Sequence, residues 1–268
     1  MGIKATSQIV VLIILLLAAA LLFSCSNSVN SDNQDLDDPP NGKLPAVTPG
    51  MIDSADFRDE EPALMALWYG DRLIPDRGLY EQFRDALKEL RKTFKGSIPE
   101  VNIRFKFPSA ISQLMVILSD SAVAEYRAGN YTAWDSLNTL FRLQSIDTSL
   151  FSGSLSVARL TFSCILHPDH LALYYEELPG VDGATANLYG GDWSNLYPWI
   201  LDGEVTFLAR DAWGDCPSGC IENHFFYFKR IDSEFQLIGD WWFWTPVPEW
   251  WEEGRAAFCA YKSHGYCD

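Results

Sequence analysis

The chain has 268 residues, with 36 acidic against 20 basic side chains and a formal net charge of −16 at pH 7. That balance repels phosphate, so it argues against a nucleic-acid partner and against a direct electrostatic hold on an anionic bilayer. Apolar residues make up 48 % and aromatics 14 %, a globular composition that supports a packed core.

Lys4 stands ahead of an uncharged apolar run from Ile9 to Phe23. The run has the length of a signal-peptide core and is short of the roughly 20 residues a spanning helix needs. It ends in Leu22-Phe23-Ser24-Cys25, which resembles the lipobox of bacterial lipoproteins: Leu three positions before Cys and a small residue directly before it. Phe23 is bulkier than the residue usual at that place. The resemblance implies a leader over 1–24, diacylglycerol on the Cys25 thiol, and cleavage that leaves Cys25 as the acylated N-terminus. Several fatty-acyl chains of the palmitate type make such an anchor stable, because one chain holds weakly. Ser26, where Asp would retain a lipoprotein at the inner membrane, implies lipid anchoring at the outer membrane of a bacterial cell envelope.

Residues 26–50 are polar and acidic, with four prolines, two glycines and no apolar period, so 25–50 is expected to be a disordered tether. Its Asp run lacks the ligand spacing, central Gly and closing Glu of a calcium loop. The globular domain is expected over 51–268, with a subdivision point near 150 and folding under way near residue 60.

Ala63–Tyr69 reads as a buried strand. Asp76 can cap a helix over 78–95 whose apolar stripe is Leu79, Phe83, Ala86, Leu87, Leu90 and Phe94, with Gly96 as its stop. Val101–Phe107 alternates as a strand, and Gln113–Leu118 follows as a second one after the Pro108 turn. Residues 121–143 read as helical, interrupted at Gly129-Asn130. From Val157 the residues Ala158, Leu160, Phe162, Cys164 and Leu166 share one face of a half-buried strand, so Cys164 is expected as a buried, unpaired thiol. His167-Pro168-Asp169 opens a helix with Leu171, Tyr174, Tyr175 and Leu178 inward, and Pro179-Gly180 leads into a short strand over Val181–Leu188. This unit resembles the propeptide domains of subtilases at the Leu178-Pro179-Gly180-Val181 turn, which would imply protease inhibition. Tyr197–Leu201, an Asp202-Gly203 turn and Glu204–Ala212 give a hairpin signal. Strands Ile221–Ile231 and Glu234–Gly239, turned at Asp232-Ser233, extend it into an antiparallel meander. The expected fold class is therefore α+β: β-α-β units followed by an antiparallel β-meander and a Trp-rich C-terminal tail.

Five cysteines remain beyond Cys25, and export places them where disulfides persist. Spacing pairs Cys216 with Cys220 and Cys259 with Cys267, although sequence proximity alone leaves other pairings open. The loop Gly214-Asp215-Cys216-Pro217-Ser218-Gly219-Cys220 resembles one found in uncharacterised secreted bacterial proteins, where it joins two aromatic-rich strands. That resemblance covers about residues 170–231 and implies no activity.

Three sharper readings of the loop differ in the chemistry each requires. A thiol–disulfide oxidoreductase needs two residues between its cysteines and a helix after the first; here there are three, and a strand follows. A zinc site would recruit His224 with His264, Cys259 or Cys267, yet on a strand Cys220 and His224 lie about 13 Å apart. Acid–base chemistry would use Asp215, Glu222 and His224, with no nucleophile placed by the sequence. His167 and His170 flank a helix start with only Asp169 at metal spacing, so capping and exposure account for them; no metal and no cofactor is expected. No phosphate loop, His-Glu-x-x-His, nucleophile elbow or Ser-x-x-Lys is present.

Trp241, Trp242, Trp244, Trp250 and Trp251 crowd the tail beside Asp240, Glu249, Glu252 and Glu253. Exposed, they would form a platform for a sugar or peptide; packed, they complete the core, which irregular spacing favours. The functional expectation is a lipid-anchored, non-catalytic binding or scaffolding domain whose partner is an envelope protein or a glycan. The alternative is an envelope hydrolase using carboxylates and His224 near the Cys216–Cys220 loop.

Overall fold

A computed structural model of the chain describes residues 44–54, 57–151 and 156–262. The expected leader, Cys25, most of the tether, His264 and Cys267 lie outside the described residues. Packed structure begins before residue 60: helix α1 (Pro49–Asp53) is capped by the Thr48 hydroxyl and buries Ile52.

Ala63–Tyr69 is not a strand but the body of helix α2 (Glu60–Gly70). Glu60 and Glu61 stand at its positive end, Pro62 falls in the first turn, and no residue of the run is β-branched. Ala63, Met65, Ala66 and Leu67 are all buried, so the helix shows no polar face for a 3.6 period to reveal. Helix α3 (Arg77–Phe94) forms as expected: the Asp76 carboxylate accepts from the Leu79 amide at 3.0 Å, and the apolar stripe packs inward.

Residues 101–107 alternate as expected yet join no sheet. A 3-10 turn (Pro99–Asn102) leads into an extended segment whose peptide groups are satisfied by side chains. Arg91 donates to the carbonyls of Val101 (3.0 Å) and Ile103 (3.3 Å), and Glu61 accepts from the Phe105 amide at 2.9 Å. Asn195 accepts from the Lys106 amide at 2.8 Å and donates back to the Lys106 carbonyl at 3.3 Å. The Tyr261 hydroxyl donates to that same carbonyl at 2.6 Å. A side chain can replace a strand partner wherever a buried peptide group needs one.

The first sheet contains β1 (Ser109–Leu118), β2 (Leu143–Leu150), β3 (Val157–Phe162) and β4 (Val181–Leu188), in the order β2-β3-β1-β4 with every neighbouring pair antiparallel. Helices α4 (Asp120–Arg127) and α5 (Asp135–Leu140) link β1 to β2, and α6 (Pro168–Glu176) links β3 to β4. Each crossover skips one strand, the split β-α-β layout of ferredoxin-like folds. Leu114, Val116, Leu160 and Phe162 meet Trp134, Phe141, Leu171 and Tyr175 in its core. Gly180 is required where α6 turns into β4: its φ is +79°, and a Cβ there would lie 2.8 Å from that of Ala122.

The second sheet is the expected meander, β5 (Asn195–Leu201), β6 (Glu204–Trp213), β7 (Glu222–Ile231) and β8 (Glu234–Trp242), in that order. Both residues of the Asp202-Gly203 and Asp232-Ser233 turns have positive φ, the type I′ geometry that matches strand twist. One face, with Leu196, Val205, Phe207, Phe226 and Phe228, packs on α2 and α3. The other, with Tyr197, Leu208, Phe225, Tyr227 and Trp241, packs on helix α7 (Trp251–Lys262), an element the tail's composition concealed.

Replacing Asn195 by Ala removes the acceptor of the Lys106 amide while Tyr261 still serves the carbonyl. Urea unfolding should then show a loss of about 2 kcal/mol, the cost of one orphaned buried N–H and a lost carboxamide. A loss below about 0.5 kcal/mol would mean that the segment does not depend on this bond.

Candidate binding site at the meander tip

The β6–β7 connection is held in shape by three local devices. Gly214, Asp215 and Gly219 all take positive φ, a 3-10 turn spans Cys216–Ser218, and Cys216 is bridged to Cys220 as expected. The Ile221 amide donates to the Gly214 carbonyl at 3.0 Å and closes the loop. The bridge consumes both thiols, so this pair offers no zinc thiolates. Cys259 is also disulfide-bonded, and its expected partner Cys267 lies outside the described residues. Cys164 is free and buried; its thiol donates to the Phe141 carbonyl at 3.3 Å, and burial pushes its pKa up, so it behaves as a small hydrophobe.

The loop also rests on residues that the sequence did not single out. The Asp192 amide donates to the Cys216 carbonyl at 2.7 Å. The Asp192 carboxylate takes both ends of the Arg210 guanidinium at 2.7 and 2.6 Å, and the Arg210 Nε donates to Asn223 at 2.6 Å. Arg210 is 1 % exposed and the Asp192 side chain 11 %, so this is a largely desolvated, bidentate pair, and the Trp193 carbonyl takes a further Arg210 donor at 3.1 Å. The signal available in sequence was weak: an Arg inside an apolar strand with acids at several distances.

On the α2/α3-facing side of the sheet, beyond the end of the apolar core, cross-strand register sets Asp211, His224 and Trp242 in one row and Trp213 beside Glu222 in the next. The His224 ring stacks on Trp242 at 4.0 Å with planes 14° apart, and its Nε2 lies 2.7 Å from Asp240 Oδ2. Trp213 meets Trp242 edge-on at 5.6 Å, and Trp244 lies 5.1 Å from Trp242. Trp213 is 40 % exposed, Trp244 60 % and Ile221 64 %. One Glu222 carboxylate oxygen is buried without a hydrogen-bond partner. The result is an open aromatic ladder rimmed by acceptors.

Of the acid–base residues expected here, Glu222 and His224 share one face of β7, about 7 Å apart along the strand. Asp215 is exposed, and its left-handed backbone serves the turn. Among the described residues no hydroxyl or thiol hydrogen-bonds to His224.

The five tail tryptophans separate into two groups. Trp241, beneath α7, and Trp251, the first residue of that helix, are buried 4.5 Å apart, and the Trp241 indole donates to the Thr245 carbonyl. Trp250 lies against Gly239, where a Cβ would come within 2.4 Å of its Nε1, and stacks on Tyr227 at 5.6 Å. Trp242 and Trp244 join the ladder instead, together with Trp213, whose place in it depends on register and is invisible in the linear chain. A cleft of about 480 Å³ lies elsewhere, between α2 and residues 189–193; in it Glu61 pairs with Arg91 and Lys106 lies over the Trp193 ring, and Glu60 and Arg104 complete its charged lining.

No family model, no curated protein and no solved structure matches the chain.

Replacing Cys216 and Cys220 together by Ser should lower global stability by at most about 2 kcal/mol, because so short a ring restricts the unfolded chain little. Amide exchange over residues 214–221 should accelerate while β5 and β6 remain protected. Loss of protection throughout the second sheet would show that the bridge holds more than its own loop.

Proposed function

We propose that the chain is a lipid-anchored, non-catalytic binding protein of the bacterial cell envelope whose meander tip holds a neutral glycan. The Trp213–Trp242–Trp244 ladder carries this reading. Flat rings in open contact suit the C–H faces of sugars, and the carboxylates of Asp240 and Asp211 in the neighbouring rows are acceptors for hydroxyls. A net charge of −16 disfavours an anionic polymer at the same surface. Loop and ladder are fixed by a disulfide, a buried ion pair and cross-strand register, which lowers the ordering cost of binding. The lipobox resemblance at Cys25 supplies the anchor in this reading, and outer-membrane placement follows from Ser26.

The hydrolase alternative has one observation in its favour, the His224–Asp240 pair. That pair could orient an imidazole as a base, but no nucleophile faces it among the described residues.

Affinity electrophoresis through gels containing soluble neutral polysaccharides, a β-glucan, a mannan and a xylan in turn, tests the proposal. At least one should retard the chain, and Trp242→Ala or Trp244→Ala should weaken retardation by roughly 3- to 10-fold, the value of one lost ring contact. Tyr189→Ala, on the separate cleft, should leave it unchanged. No retardation by any polymer, or equal retardation of the ladder variants, would overturn the reading. Release of reducing ends that disappears in His224→Gln would establish the hydrolase instead.

A further inference from the structure

Asp71 follows α2 in a left-handed conformation (φ 44°), where a non-glycine residue is uncommon. The turn places its carboxylate against the start of α6, a contact 99 residues away in sequence. Asp71 Oδ1 lies 2.9 Å from His170 Nε2 and 3.8 Å from His167 Nε2. Ligand atoms from all three side chains lie within 4.8 Å of one another. The connector is pinned in place, since the His167 amide donates to the Leu73 carbonyl at 3.0 Å.

His167 is 8 % exposed and packs edge-on against Phe107 at 5.1 Å, so its ring cannot swing into solvent. Its Nδ1 is buried without a hydrogen-bond partner, with Asp169 Oδ2 at 3.9 Å. An imidazole held this way, one nitrogen aimed at a carboxylate and a second imidazole and the other beside an acid, has the layout of a metal ligand with an outer carboxylate. Four ligands at zinc bond lengths sit about 3.4 Å from one another, close to the spacing already present.

We propose that Asp71, His167 and His170 form a binding site for one divalent transition-metal ion of the zinc class, with Asp169 orienting His167 through its Nδ1–H. Two imidazoles and one carboxylate suit zinc or cobalt better than calcium or magnesium, which prefer oxygen ligands. Three protein ligands leave a fourth position for water, on the side where Asp71 is exposed. The ion would clamp the α2–α3 connector to α6 and so join helices packed on different sheets. This inference does not depend on the reading of the meander tip.

Titration of the metal-free full chain with Co²⁺ and Zn²⁺ tests it. The expected result is one equivalent bound, with visible ligand-field bands of a four- or five-coordinate cobalt ion and no thiolate charge-transfer band. His170→Gln and Asp71→Asn alter half-exposed or exposed side chains and should fold normally. Each should weaken binding by at least about tenfold, and Asp169→Asn by about 10- to 100-fold. His224→Gln should bind as the unaltered chain does. Absence of binding, affinity unchanged in both His170→Gln and Asp71→Asn, or a thiolate band pointing to cysteine ligands would each overturn the proposal.

Discussion

The peptide groups of residues 101–106 have no strand to pair with, and much of the molecule is arranged around giving them partners. Arg91 from α3, Glu61 from α2, Asn195 from the first residue of β5 and Tyr261 from α7 converge on this one extended stretch. Glu61 and Arg91 also hold each other through two bonds of 2.7 and 2.8 Å, so the charges that serve the segment are themselves paired. The segment runs directly into β1, one of the two central strands of the first sheet. Helices on both faces of the second sheet and the lead-in to the first are thus fixed by one hydrogen-bonded network.

The meander tip inherits its rigidity from that arrangement. Asn195 begins β5, and three residues before it Asp192 neutralises the buried Arg210 and supports the Cys216 carbonyl. Burying a bidentate pair contributes little net stability against an apolar replacement, but breaking it would strand a charge in the core. Its consequence is positional. It sets the loop that carries the disulfide, and the loop lies beside the strand ends that present Trp213, His224 and Trp242.

Much of the fold was legible because one-sided burial writes a period into a sequence. The stripe of α3 and the alternation of Ala158 to Leu166 each have one face in a core and one outside, whereas the meander packs on both faces and is marked by its two type I′ turns. Helix α2 was misread for the opposite reason: it is buried on nearly every side, so Ala63–Tyr69 shows no period at all. Residues 101–107 alternate like a strand because they do bury Val101, Phe105 and Phe107, but alternation reports burial and not pairing. Edge strand β2 has no fully buried residue, and its pattern was too weak to see. The ladder and the Asp71–His167–His170 cluster both needed contacts between distant positions, the first through sheet register and the second across a helix connector. Spacing motifs cannot supply either.

Fluorine NMR of the chain labelled with 5-fluorotryptophan, titrated with neutral β-linked oligosaccharides, most directly tests the claim that the tip is the ligand surface. The resonances of Trp213, Trp242 and Trp244, assigned by single substitutions, should shift together and saturably, while those of Trp134, Trp241 and Trp251 stay fixed. Saturable shifts confined to Trp193 beside the α2 cleft, or no shift in any ladder resonance, would contradict the account.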